Sequence, residues 1–142
     1  MGKKRIVSKG GESGGTARRA AGKSTKKRVA SGTLHVQSTY NNTLVTLTDE
    51  KGNKLTSSSS GSLGFKGAKK GTPFAAAAIG DVLAESAKKM GMKEVDVIIK
   101  GVGSGREAAV RSFAQAGFAI KSIKDTTPVP FNGVKQRKPR RV

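Results

Sequence analysis

Only the middle of this chain can supply a folded core. Residues 1–30 carry ten basic groups (Lys3, Lys4, Arg5, Lys9, Arg18, Arg19, Lys23, Lys26, Lys27, Arg28), one acid, Glu12, and almost no large apolar side chain. Residues 131–142 add Lys135, Arg137, Lys138, Arg140 and Arg141 with no acid. Segments of this kind bury too little surface to offset their conformational entropy. Both ends are therefore expected to be disordered in isolation and to order on a polyanion. Their charge density makes mere solubilising tails the poorer reading. The middle is closer to balance, although the chain as a whole holds 28 Lys+Arg against 9 Asp+Glu, a net charge of +19. At 142 residues there is room for one domain.

Composition removes several function classes. With no Cys there is no disulfide framework, thiolate nucleophile or Cys-based zinc site, and a single His excludes a multi-His metal site. Aromatics are 4% of the chain, so the core must be aliphatic. No apolar stretch approaches the roughly 20 residues of a membrane span. Neither a signal peptide nor the amphipathic stripe of a transit peptide is expected at the start.

Local patterning predicts β-β-β-α-β-α-β. Residues 33–39 alternate, with Leu34, Val36 and Ser38 on one face. Tyr40-Asn41-Asn42 supplies a turn, and 43–49 is a β-branched second strand. Lys51-Gly52-Asn53 turns into a short third strand over 54–58. Thr72 is a candidate N-cap and Pro73 a first helical residue, opening a helix that runs to about Met90 and stops at Gly91. Its apolar side is expected to include Phe74, Ala78, Ile79, Val82, Leu83 and Met90. Residues 94–100 form a strand with Val95, Val97 and Ile99 on one face and Ile98 on the other, which predicts cover on both faces. Ser104-Gly105-Arg106-Glu107 matches a capping box at the start of a second helix over about 106–116, with Ala109, Val110 and Phe113 inward. A last strand follows over 118–124. Strands joined by helices favour parallel pairing, so the expected fold class is α/β, a mixed five-stranded sheet with helices packed on it.

Catalytic chemistry finds little support in these residues. His35 sits between Leu34 and Val36 with no Cys to pair with, so a structural or RNA-contacting role outweighs a general base. Asp81 and Glu85 lie one turn apart, but Lys88 and Lys89 make surface pairing the simpler account. A two-metal nuclease needs several converging carboxylates. Gly22-Lys23-Ser24 ends like a P-loop but lacks its leading Gly and strand. Gly101-Val102-Gly103-Ser104-Gly105 departs from the dinucleotide spacing. Beside Arg106 it is either a phosphate seat or simply a tight turn. The loop over 61–71 carries the stronger signal. Its glycines admit a phosphate chain, Lys66, Lys69 and Lys70 neutralise it, and Phe65 either stacks on a base or anchors the loop. Asn41 and Asn42 either bond sugars and phosphates or adopt turn geometry. A structural RNA-binding protein, a sequence-indifferent nucleic-acid coat and a metal-dependent nuclease all remain open on residues alone.

Five stretches, taken together, resemble one family: 34–43 (LHVQSTYNNT), Gly64-Phe65-Lys66-Gly67, Lys70 with Thr72-Pro73-Phe74-Ala75-Ala76, 100–107 (KGVGSGRE) and 125–133 (DTTPVPFNG). They are similar to the bacterial form of ribosomal protein S-eleven, in order from about Gly32 to the end. Phe131, Val134, Ser57 and Ala77 depart from the residues usual in that family. The resemblance implies a ribonuclease-H-like fold with no catalytic role, no cofactor and no metal. It implies a structural protein of the cytoplasmic ribosome, bound to small-subunit ribosomal RNA in the platform. There it would help form the mRNA exit and Shine–Dalgarno cleft, beside ribosomal proteins S-seven, S-eighteen and S-twenty-one and away from any membrane. Some bacterial members carry isoaspartate at the position of Asn132, and Asn132-Gly133 is prone to succinimide formation because Gly leaves the Asn carbonyl open to attack. The expected organisation is a basic N-terminal extension over 1–30, an α/β RNA-binding domain over 31–126 and a basic C-terminal tail over 127–142. The candidate RNA-binding residues are the cations of the two ends, over 1–30 and 131–142 (Lys9 apart), with Asn41, Asn42, Lys66, Lys69, Lys70, Gly103, Ser104, Gly105, Arg106 and Asn132.

Overall fold

Alternation in the strands and small residues in the helices together produce a one-sided sandwich. The computed structural model describes residues 28–141. Strand β1 (Ser31–Ser38) buries Leu34, Val36 and Ser38, and β2 (Thr43–Asp49) buries Val45 and Leu47 on the same side. Gly52, at φ 85°, turns β2 into β3 (Lys54–Ser59). Helix α1 (Pro73–Met90) leads to β4 (Glu94–Lys100), and α2 (Arg106–Gln115) leads to β5 (Ala119–Asp125). The sheet order is β3-β2-β1-β4-β5, antiparallel from β3 to β1 and parallel from β1 to β5. This is the mixed five-stranded, ribonuclease-H-like arrangement expected.

The core is aliphatic, with Phe113 and Phe118 stacked in it at 4.3 Å between ring centroids. Helix α1 buries Ala76, Ile79, Gly80, Leu83, Ala84 and Ala87. This stripe of small residues lets α2 approach closely: a Cβ on Gly80 would lie 2.8 Å from the Ala109 carbonyl oxygen. Three expectations are corrected here. Phe74 and Val82 lie outside the buried stripe and are 76% and 42% exposed. Both helices contribute to a core on one sheet face, and the reverse face carries half-buried or exposed Thr33, His35, Gln37, Leu44, Thr46, Ile98 and Lys100. One Ile among polar neighbours is not a covered face. Ser104 does not cap α2: Gly105 holds the cap position with no side-chain bond, and the Ser104 hydroxyl donates to the Gly71 carbonyl at 3.0 Å. The Thr72 cap does form, accepting from the Ala75 amide at 3.4 Å.

Candidate nucleic-acid interface

Parallel pairing of β1, β4 and β5, with β3 antiparallel to β2, sends the carboxyl ends of four strands to one end of the sheet. Open α/β sheets place their binding loops at that end. Here the turn at 40–42, the loop at 60–71, the turn at 101–105 and the C-terminal tail converge. Their packing is backbone on backbone. Gly71 lies so close to Tyr40 that a Cβ would come within 2.1 Å of its carbonyl oxygen. A Cβ on Gly103 would lie 2.3 Å from both the Ser38 hydroxyl and the Thr39 carbonyl oxygen. The tight-turn reading of 101–105 therefore holds: these glycines are needed to seat the turn against the end of β1.

Arg106 is committed to the same purpose. Its guanidinium donates to the Gly101 carbonyl at 2.9 Å and pairs with Asp125 at 2.5 Å. The other Asp125 oxygen accepts from the Thr127 hydroxyl at 2.6 Å and the Thr127 amide at 2.9 Å. Thr127 in turn accepts from the Gly101 amide at 3.1 Å. The two Thr127 bonds, with Arg106 behind them, lower the Asp125 pKa to about 2. This latch fixes where the tail leaves the sheet. Its signal in the sequence is a carboxylate two residues before a Thr, an Asx-type turn, and reading the motifs for RNA contacts alone misses it.

The basic loop is built differently. Buried Ser60 pins its base: the hydroxyl donates to the Lys70 carbonyl at 2.7 Å, and the Phe65 amide donates to the Ser60 carbonyl at 3.2 Å. A 3₁₀ turn over Gly67–Gly71 presents Lys69 and Lys70. Among the described residues no carboxylate pairs with Lys66, Lys69 or Lys70. Phe65 meets Phe74 edge-to-face at 6.0 Å. Asn41 is exposed, and Asn42 Oδ1 is buried at the junction of the loops with no hydrogen-bond partner among the described residues. Beyond the latch the tail has no regular structure, and Asn132, Lys135, Arg137, Lys138, Arg140 and Arg141 are exposed along it. Asn132 is left-handed, at φ 55°.

Two groups of expected site residues fall elsewhere. Arg28 sits at the opposite end of the sheet, beside Lys88, Lys89 and Gly91. Lys3, Lys4, Arg5, Arg18, Arg19, Lys23, Lys26 and Lys27, with the expected disorder of the extension that holds them, lie outside the described residues. The residues weighed for catalysis are occupied locally. Asp81 accepts from the Ser112 hydroxyl, and His35 Nε2 lies 3.3 Å from the Thr48 hydroxyl. Glu85 forms no ion pair with Lys88 or Lys89, contrary to the surface pairing expected, because among the described residues the ion pairs are those of Arg106 and Lys121. Among the described residues no three His, Asp or Glu side chains gather as a metal would need, and no helix is long and apolar enough to cross a membrane.

The model of the family described as Ribosomal protein S11 matches residues 32–141, the segment that holds all four converging loops. The chain belongs to the ribosomal protein S11 family. It is 50% identical over 129 residues to the small ribosomal subunit protein uS11 of Thermotoga maritima, covering 89% of this chain and 99% of that protein. The protein of the same name from Thermosipho africanus is 51% identical over 123 residues, covering 87% of this chain and 95% of that one. The S11 family is a structural, non-enzymatic one. The ribosomal resemblance carried by the turn, loop and tail motifs is thereby established, and the nuclease alternative falls with it.

Proposed function

We propose that this chain is a structural component of the small ribosomal subunit in the cytoplasmic ribosome. It docks on small-subunit ribosomal RNA in the platform and helps form the mRNA exit and Shine–Dalgarno cleft, with ribosomal proteins S-seven, S-eighteen and S-twenty-one as neighbours. The observation that carries this reading is the shared origin of two sets of cations that form no ion pair among the described residues. Lys66, Lys69 and Lys70 on the loop, and Lys135 to Arg141 on the tail, leave the same end of the sheet. Neutralising phosphates from one rigid end, with counterion release, lets RNA segments pack that would otherwise repel each other. The body over 31–126 supplies the shape, and the basic extensions over 1–30 and 127–142 thread between RNA helices. Exposed Asn41 and half-buried Asn42 stand at the same end and face the same RNA. Exposed Ser104 meets phosphate, while buried Gly103 and Gly105, with Arg106, hold the turn that presents it.

The test is binding to a platform fragment of small-subunit ribosomal RNA against a scrambled RNA of equal length, at low and near-physiological salt. The platform fragment is expected to keep its advantage at the higher salt. Equal binding that falls away for both would favour a sequence-indifferent coat instead. Asn132, exposed, left-handed and followed by Gly133, is assigned to succinimide and isoaspartate formation. Peptide mapping of mature ribosomes is expected to find isoaspartate there, and finding only Asn overturns the assignment.

A further inference from the structure

We propose that the exposed ring of Phe74 is a stacking platform for one unpaired base of the docked RNA, an inference that rests on the ribosomal RNA reading above. Phe74 is the second residue of α1 and is 76% exposed. Its backbone is held by the Thr72 cap and by Pro73 at the first helical position. Phe65 supports the ring edge-to-face at 6.0 Å, with 81° between planes. Other large apolar side chains are as exposed, among them Tyr40, Val129 and Phe131, but among the described residues none of these has an aromatic partner. A ring supported from one side and open to water on the rest is arranged to receive a flat partner.

The surroundings select the partner. The groove is lined by Gly64, Phe65, Lys66, Lys69, Thr72 and Phe74, with two cations and no acid. A nucleobase brings a π-face for Phe74 and a phosphate for Lys66 or Lys69 in one ligand. The base must be unpaired, because a base inside a duplex already has both faces stacked. An apolar protein side chain could cover the ring but would leave the lysines without an anion.

The full chain contains no Trp, so Phe74→Trp introduces a unique fluorescent reporter. The probe is the platform fragment of small-subunit ribosomal RNA. Phe74→Leu is expected to bind it about 5- to 100-fold more weakly, the range of one base–aromatic stack. The salt dependence should not move, because no charge is lost. Phe74→Trp should bind like the parent, with its emission quenched by the RNA. Unchanged melting curves will show that the exposed position leaves the fold intact. If Phe74→Leu binds like the parent and the Trp emission is unmoved in a complex that still forms, the stack is overturned while the platform reading stands. A Trp emission that moves only when extracted small-subunit proteins are added overturns it in favour of a protein occupant. A parent chain that does not prefer the platform fragment overturns both readings.

Discussion

In the loop at 61–71, three lysines have no carboxylate partner among the described residues, and a Cβ added at Gly64 or Gly67 would meet nothing within 4 Å. In the turn at 101–105, the neighbouring Arg106 is bonded inward on two nitrogens, and a Cβ added at Gly103 would strike Ser38 and Thr39. Both are short glycine-rich segments beside basic residues; in the sequence the first reads as a phosphate cradle and the second as either a phosphate seat or a tight turn. The difference between them is one of address. The first leaves the edge strand β3 and runs over the surface until Gly71 packs on Tyr40, so Gly64 and Gly67 serve backbone conformation and the cations stay available. The second leaves the interior strand β4, beside β1, where glycine is the residue that fits and the cation is paired with a carbonyl and a carboxylate of the chain itself. Glycine and positive charge together are thus not enough to mark a cation that is free for a ligand. What distinguishes them is whether the fold has already neutralised the charge.

The largest expected effect breaks the comparison on stability. Gly103→Ala drives a Cβ into backbone and should cost about 3 kcal/mol. Gly64→Ala, at φ 94° but in open space, should cost about 1–2 kcal/mol. Equal losses in denaturant melts would mean that the two turns are alike after all. The next effect is on RNA affinity. Lys69→Ala with Lys70→Ala should flatten the salt dependence of binding by roughly one unit per lost phosphate contact, with melting unchanged. Arg106→Ala should do the reverse, lowering the melting temperature and leaving the salt slope alone. A slope that falls for Arg106→Ala but not for the lysine pair would exchange the roles assigned here.

The smallest effect is on pH. Asp125 has its pKa lowered from 3.8 to about 2 by Thr127 and Arg106, so the folded state favours the carboxylate. Its contribution is complete above about pH 4 and is lost as pH falls toward 2. Acid titration of Asp125→Asn should lack this component of the parent's loss of stability between those values. The parent and Asp125→Asn losing stability in parallel over that window would remove the latch from the account.

Much of the fold is legible in the sequence. The alternation of Leu34, Val36 and Ser38, the Thr72-Pro73 start and the Gly91 stop are local signals, and the elements form where those signals stand. The departures share one cause. Phe74, Val82 and Ile98 read as inward because they are apolar, but periodicity gives a face and not what lies against it. The Ser104 capping box fails because the Gly71 carbonyl, 33 residues away, takes its hydroxyl. Of the candidate site, the cations are visible as residues. Their sorting into free and committed is not, because that depends on partners such as Asp125 that are remote in sequence.

By itself, then, the sequence determined the element order, the aliphatic core, the polyanionic partner and the family, because each rests on local spacing or on summed charge. The tertiary structure alone decided that four separate loops share one end of the sheet, that Arg28 stands at the other, and that Arg106 pairs with Asp125 and the Gly101 carbonyl. It also left Phe74 in the open. The physical reason is that strand order and direction set which loops become neighbours. A hydrogen bond or ion pair formed between those neighbours then determines which groups remain for a ligand.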